Sequence, residues 1–304
     1  IKMRWINNPQ TLSILGLLIG CILFGMGSLI VAYVDVGAYA MSFWRLAISS
    51  VVFVLLARLF RQKFPQSRSA LIYALLAGAA LGLDLALWHE SIHAVGPGIS
   101  TFLKSLQLLL LTFIRVYFLT FIGFYFFAEH QKLIQLVSLI LAVMGVVLIA
   151  SPEFGHNMQA GWGFITGIIS GACLAISLTW VRQVHYHEPT PLFSLMALVG
   201  LGGAIVMLPL MLWLDQDHIL PKTPHELGWI LVYGTVMQCL AFGAITFSIP
   251  RLSLAVTGLL LLSEPVAALV LDYFWLNKTI TLIQWLGAIL TMFAIYLGSV
   301  KVRH

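Results

Sequence analysis

His89-Glu90-Ser91-Ile92-His93 has the H-E-x-x-H spacing. On a helix that spacing puts two imidazoles on one face beside a carboxylate, the donor set of a catalytic zinc with its general base. A catalytic zinc also takes a third protein ligand, and no second motif supplies one at a recognisable spacing. Cys21, Cys173 and Cys239 are odd in number and each sits in an apolar run, which excludes a disulfide framework and a four-thiolate metal site. No serine or cysteine nucleophile has a His partner at a recognisable spacing, and no G-x-x-x-x-G-K-[ST] loop occurs, so ATP-driven pumping is not expected. Neither a cofactor nor a resident metal is implied. The more informative side chains are ionisable ones set inside long apolar stretches: Arg45, Asp84, Lys104 and Glu264, with the amides Gln107 and Gln238 and the indoles Trp44 and Trp88.

The elements that must hold these residues follow from composition. Of 304 residues, 61% are hydrophobic and 9% charged, against about a quarter charged in soluble domains; the mean hydropathy is +1.00. This is a membrane protein. The net charge of +5 comes from small basic groups flanking apolar segments rather than from a stripe or an arm, so nucleic acid is not a partner. At about 20 apolar residues per crossing, ten helical spans are predicted: 11–34, 40–61, 70–92, 97–127, 131–151, 160–181, 191–214, 226–249, 252–275 and 280–300. β-barrel strands are excluded because the runs are apolar on every face instead of alternating.

Lysine and arginine in the loops orient the chain. With both termini cytoplasmic, the inner side collects Lys2, Arg4, Arg58, Arg61, Lys63, Arg68, Lys132, Arg182, Arg251, Lys301 and Arg303, and the outer side only Lys222 and Lys278. Arg45, Lys104 and Arg115 fall inside spans. The first span has no small-residue cleavage site and reads as a retained helix.

The chain also repeats itself weakly. Ser91-Ile92 recurs as Ser248-Ile249, an offset that sets Gln107 against Glu264, and Leu133-Ile134-Gln135 recurs as Leu282-Ile283-Gln284. Two units of five spans result, 1–151 and 152–304. Because five is odd, the second enters the membrane in the opposite sense, an inverted repeat of the kind found in transporters with a midplane site. The two offsets differ by eight, and Leu111–Phe118 is followed at once by the similar Leu119–Phe126, which reads as a tandem duplication lengthening the fourth helix by about 12 Å.

On these residues the sequence resembles the drug/metabolite transporter superfamily of EamA type. The resemblance rests on Phe43-Trp44-Arg45-Leu46-Ala47; on Leu81-Gly82-Leu83-Asp84 continuing through Trp88-His89-Glu90-Ser91-Ile92; on Gly96-Pro97-Gly98-Ile99-Ser100-Thr101 followed by Leu106-Gln107; and on Leu262-Ser263-Glu264-Pro265-Val266 with Gly287 and Gly298. It covers essentially the whole chain and implies ten helices, cytoplasmic termini, a bacterial inner membrane and export. The pattern departs from the family's at Leu108, where members often carry proline, and at Glu129, displaced by the octamer.

A buried charge in the bilayer costs a few kcal/mol, so each normally faces a partner or a cavity. Asp84 and Trp88 share a face one turn apart, and Lys104, Gln107 and Glu264 join them if the fourth and ninth spans are central. Both signs in one cavity suit a zwitterion or polar metabolite. Arg45 reads either as a site residue or as an anchor snorkelling outward. Gln238 and Phe242, with Trp44 and Trp180, are candidate walls, while Arg115 and Asp272 read as solvated near helix ends. The expectation is a secondary transporter, not an enzyme, of small polar metabolites such as amino acids, embedded among membrane lipids and driven by the substrate's own gradient, protons or another coupling ion. Two alternatives stay open: an intramembrane zinc protease using His89, Glu90 and His93, and an exchanger or scramblase of lipid-linked or nucleotide-linked substrates.

Overall fold

The computed structural model describes residues 9–106, 129–248 and 263–299, together with 252, 260 and 261. Gln107, Arg115 and both octamers lie outside them. Among the described residues there is no strand, and a helical segment falls at each of the ten predicted positions. These are α1 (Pro9–Tyr33), α2 (Ala38–Leu59), α3 (Arg68–Val95), α4 (Pro97–Ser105), α5 (Glu129–His156), α6 (Ala160–His187) and α7 (Leu192–Leu214). α8 follows in three joined stretches, with Pro224–Val232 and Phe242–Ser248 α-helical and Tyr233–Ala241 π-helical; α9 is Ser263–Trp275 and α10 is Leu282–Ser299. Among the described residues, six stretches are by themselves long and apolar enough to cross a membrane: Thr11–Tyr33, Ala38–Leu59, Arg68–Val95, Ala160–His187, Leu192–Leu214 and Pro224–Ile245.

Local chemistry sets the joints. α3 and α4 are separated by Gly96 alone, at φ +92°, a left-handed conformation that costs glycine nothing; Pro97 then starts α4, where a missing N–H is no loss. α8 begins at a capping box, with Thr223 accepting from the Glu226 amide while the Glu226 carboxylate accepts from Thr223, and Pro224 at the first turn.

The outer surface is what a bilayer demands. Leu12, Leu15, Ile19, Ile22 and Met26, spaced three and four apart on α1, are all more than two-fifths exposed. Leu282, Leu286, Ile289 and Phe293 make the same stripe on α10. Meanwhile Ser42, Arg45 and Ser49 on α2, and Asp84, His89 and Ser91 on α3, are buried. Apolar side chains out and polar ones in is stable only where the surroundings are hydrocarbon.

Helices meet through small residues. A Cβ on Gly78 of α3 would overlap the Val199 carbonyl oxygen of α7 and stand 2.8 Å from the Gly203 nitrogen, so α3 and α7 touch backbone to backbone here. α2 lies along α7, and α5 along α10. α1 packs on α8 and α9, while α6 packs on α3 and α4. Loop contacts segregate to two ends. At one end Glu188 accepts from the Gln66 and Ser67 amides. At the other, Asp35 pairs with Lys222, Asn157 donates to the Ala94 carbonyl, and Lys278 donates to the Val95 carbonyl.

Two expectations are corrected by burial. Asp272 is not solvated: it is 0% exposed, and its Oδ2 accepts the Gly98 amide at 2.9 Å, satisfying a free N–H in the first turn of α4. Arg45 does not snorkel. It is 1% exposed, because the buried Ser42–Arg45–Ser49 stripe turns that face of α2 into the bundle.

Candidate functional site

Two polar clusters share the middle of the bundle. The first joins α3, α4 and α6. Lys104 Nζ lies 3.0 Å from Asp84 Oδ2, and Ser170 donates to Asp84 Oδ1 at 2.6 Å. One turn along α3 from Asp84, the Trp88 ring sits 4.4 Å below the Lys104 ammonium, a cation–π contact. Lys104 is thus held by a carboxylate and by an indole face. Asp84 and Trp88 are both 0% exposed. The indole Nε1 finds no acceptor among the described residues.

The second cluster joins α2, α3 and the π-helical part of α8. Arg45 donates from Nε to Gln238 Oε1 at 2.7 Å and from Nη1 to the Tyr233 hydroxyl at 2.5 Å. His89 Nε2 lies 2.9 Å from the same hydroxyl, and its Nδ1 lies 3.1 Å from the Ala38 carbonyl. A carbonyl can only accept, so Nδ1 carries the proton and Nε2 accepts from Tyr233. The result is a directed chain, Arg45 to Tyr233 to His89 to the backbone. Rings flank the guanidinium on two sides, Tyr233 at 4.5 Å and Phe24 at 5.0 Å. The wider turn of the π-helix carries both Tyr233 and Gln238, and such turns recur at functional sites.

Glu264, at the start of α9, is partly buried; α9 packs on α4, which carries Lys104, and the Glu264 carbonyl lies against Gly25 of α1, the residue after Phe24, which places it between the two clusters. Asp84, Trp88, Lys104, Glu264, Arg45 and Gln238 are therefore gathered in one region. Trp44 is not: its indole donates to the Ile219 carbonyl at 2.8 Å, fastening α2 to the loop after α7. Trp180 packs against the main apolar core, whereas Phe242 is near the second cluster, its ring 6.3 Å from that of Phe24.

The H-E-x-x-H residues do not converge. α3 continues to Val95, so the motif is helical throughout and not at the mouth of a loop. His89 is committed to Tyr233 and Ala38, His93 to the Val31 carbonyl at 3.3 Å, and Glu90 accepts from the Trp162 indole. Among the described residues no three His, Cys, Asp or Glu side chains come together as a metal site would require. Tyr233, Ser170 and the hydrogen-bonding role of His89 had no sequence signal beyond being polar in an apolar run.

Residues 161–300 match the EamA-like transporter family. The chain is 24% identical over 269 residues to a probable amino-acid metabolite efflux pump of Salmonella typhimurium (strain LT2), covering 83% of this chain and 85% of that protein. It is 22% identical over 265 residues to an uncharacterized transporter, YdfC, of Bacillus subtilis (strain 168), covering 86% and 82% respectively. A solved crystal structure shares the fold with a TM-score of 0.61 over 95% of this chain and 98% of its own, at 14% identity.

Proposed function

We infer that this chain, an EamA-type member of the drug/metabolite transporter superfamily, exports small polar organic metabolites, amino acids foremost, across a bacterial inner membrane. It does so by alternating access between two five-helix halves, 1–151 and 152–304, with both termini in the cytoplasm. The observation that carries the reading is the burial of both signs of charge inside membrane helices: the Asp84–Lys104 pair and Arg45. Each such group costs about 2.5–3.5 kcal/mol at a helix centre, several times what one leucine returns there. A fold that needed only to span the bilayer would replace them with apolar residues.

One argument supports the halves and another the substrate. The packing partners exchange as a two-fold would require: α1 on α8 and α9 answers α6 on α3 and α4, while α2–α7 and α5–α10 map onto themselves. Amino acids are favoured because the region presents two carboxylates, two bases and an amide together, and because the Salmonella relative is named for amino-acid metabolites.

The test is counterflow of radiolabelled amino acids into proteoliposomes preloaded with unlabelled ones. The expected result is exchange of at least one amino acid, lost in Glu264→Gln. If no amino acid exchanges while nucleotide-linked or lipid-linked compounds do, the substrate assignment falls.

A further inference from the structure

Donors outnumber acceptors around Arg45. Among the described residues, Lys104, Lys222 and Lys278 each pair with a carboxylate. Arg58, Arg61, Lys63, Arg68 and Arg182 are exposed. Arg45 is different: it is buried, and no described carboxylate lies within 4 Å of it. Its Nε and Nη1 are occupied, but its Nη2 has no hydrogen bond to a described residue. Gln238 spends its Oε1 on Arg45, leaving its Nε2 likewise without a described acceptor. Trp88 Nε1, on the residue before His89, is a third donor without a described acceptor, and its atom is fully buried.

A buried cation without an ion pair is expensive, and a buried donor without an acceptor beside it adds to that cost. The missing group must be an anion that only accepts. We propose that Arg45 is the carboxylate anchor of the substrate, with Nη2 of Arg45 and Nε2 of Gln238 each donating to the bound carboxylate. A carboxylate fits better than a bulkier, more highly charged group. The guanidinium is held between the Phe24 and Tyr233 rings, at 5.0 and 4.5 Å, and its Nε and Nη1 each already donate, so Nη2 is the nitrogen left to offer and one negative charge is matched. Tyr233 and His89 are positioning residues, fixing that edge through the directed hydrogen-bond chain. Glu264, partly buried on α9 where that helix packs on α1 and on α4, is the counterpart for the substrate's ammonium.

This assignment rests on the amino-acid reading and is tested so that the two fail separately. The twenty free α-amino acids are screened by thermal shift on the purified full chain, and each that binds is compared with its carboxamide, which keeps the ammonium and side chain but loses the charge Arg45 would recognise. The carboxamide is expected to bind at least tenfold more weakly. In parallel, Gln238→Glu puts a carboxylate 2.7 Å from Arg45, where Oε1 now sits. That variant is expected to melt at or above the parent temperature and to lose amino-acid binding, its anchor already satisfied. If no amino acid binds the parent, the amino-acid reading falls and the anchor with it. If amino acids bind but their carboxamides bind equally well, or Gln238→Glu folds and binds them unchanged, the anchor alone is overturned. Should Gln238→Glu fail to fold, the carboxamide comparison decides by itself.

Discussion

A carboxylate and an ammonium buried together are worth little as a pair and much as a liability, because removing one partner strands the other. Asp84 and Lys104 stand in that relation, their side chains 0% and 8% exposed respectively. Asp84→Asn is therefore expected to lower stability by about 3–5 kcal/mol, read as a drop in melting temperature, and also to abolish transport. The combined Asp84→Asn, Lys104→Met chain removes both charges and should regain most of the melting temperature without regaining transport. Recovered transport in the double variant would make the pair structural only. Tyr233→Phe tests the second cluster: it deletes the hydroxyl shared by Arg45 and His89 at a cost of about 1–3 kcal/mol, and a variant with unchanged melting and unchanged substrate affinity would remove Tyr233 from the site. What was legible at this scale followed from expense. Arg45, Asp84, Lys104 and Glu264 announce themselves because a charge in an apolar run needs a reason. Tyr233 and Ser170 do not, since a hydroxyl in a membrane helix can satisfy itself on its own backbone, as Thr101 does on Pro97. Arg45 was readable as important but not as buried, because a position near a span's end permits either direction.

Elements were read more fully than sites, since the length of an apolar run is itself the physical requirement for crossing a bilayer. The ends were less visible: α6 runs to His187 and α3 from Arg68 to Val95, beyond the apolar runs 160–181 and 70–92, because a helix continues into water wherever its side chains allow. The π-helical Tyr233–Ala241 was not legible at all, as a change in hydrogen-bond register leaves no mark in composition. Contacts between helices were legible only as a general richness in small residues. Gly78 shows what the richness does. Gly78→Val would drive side-chain atoms into the Val199 carbonyl and the Gly203 backbone, forcing α3 from α7. The expected loss is at least about 1–3 kcal/mol, measured as a fall in melting temperature together with weaker transport, because α3 carries Asp84 and Trp88. Unchanged melting would mean that the two helices separate freely at this level. The loops follow a simpler rule. Asp35, beside Lys222, titrates below the ordinary carboxylate range. A lowered pKa means that its contribution is present above that range and is lost as pH falls through the lowered value, so the Asp35–Lys222 contact is intact at neutral pH.

At the scale of the whole molecule, the end that carries Lys222 and Lys278 is closed by contacts between loops that are distant in sequence. Asp35–Lys222 is more than half exposed on both sides and is screened accordingly. The contacts at Lys278 are stronger candidates for holding that end shut. Its ammonium donates to the Val95 carbonyl at the α3–α4 joint and lies 3.3 Å from Glu153 of α5, which also accepts from Gln284 of α10. Four helices converge on this one lysine and its partner, and Lys278 is 28% and Glu153 13% exposed. On the alternating access proposed above, this end parts during each cycle. Lys278→Met should weaken the closed form and raise the population open at that end, with little loss of folding because the apolar stem still packs. The measurement is the rate at which an impermeant thiol reagent modifies a cysteine replacing Ala94, which is 9% exposed beneath the Asn157 contact, in a chain whose three native cysteines are changed to serine. Intact cells should label it slowly in the parent and several-fold faster in Lys278→Met, while inverted vesicles should not, if this end faces outward as the basic-residue asymmetry proposes. Equal rates in parent and variant would mean that Lys278 does not hold the closed end, and labelling confined to inverted vesicles would reverse the orientation of the whole chain.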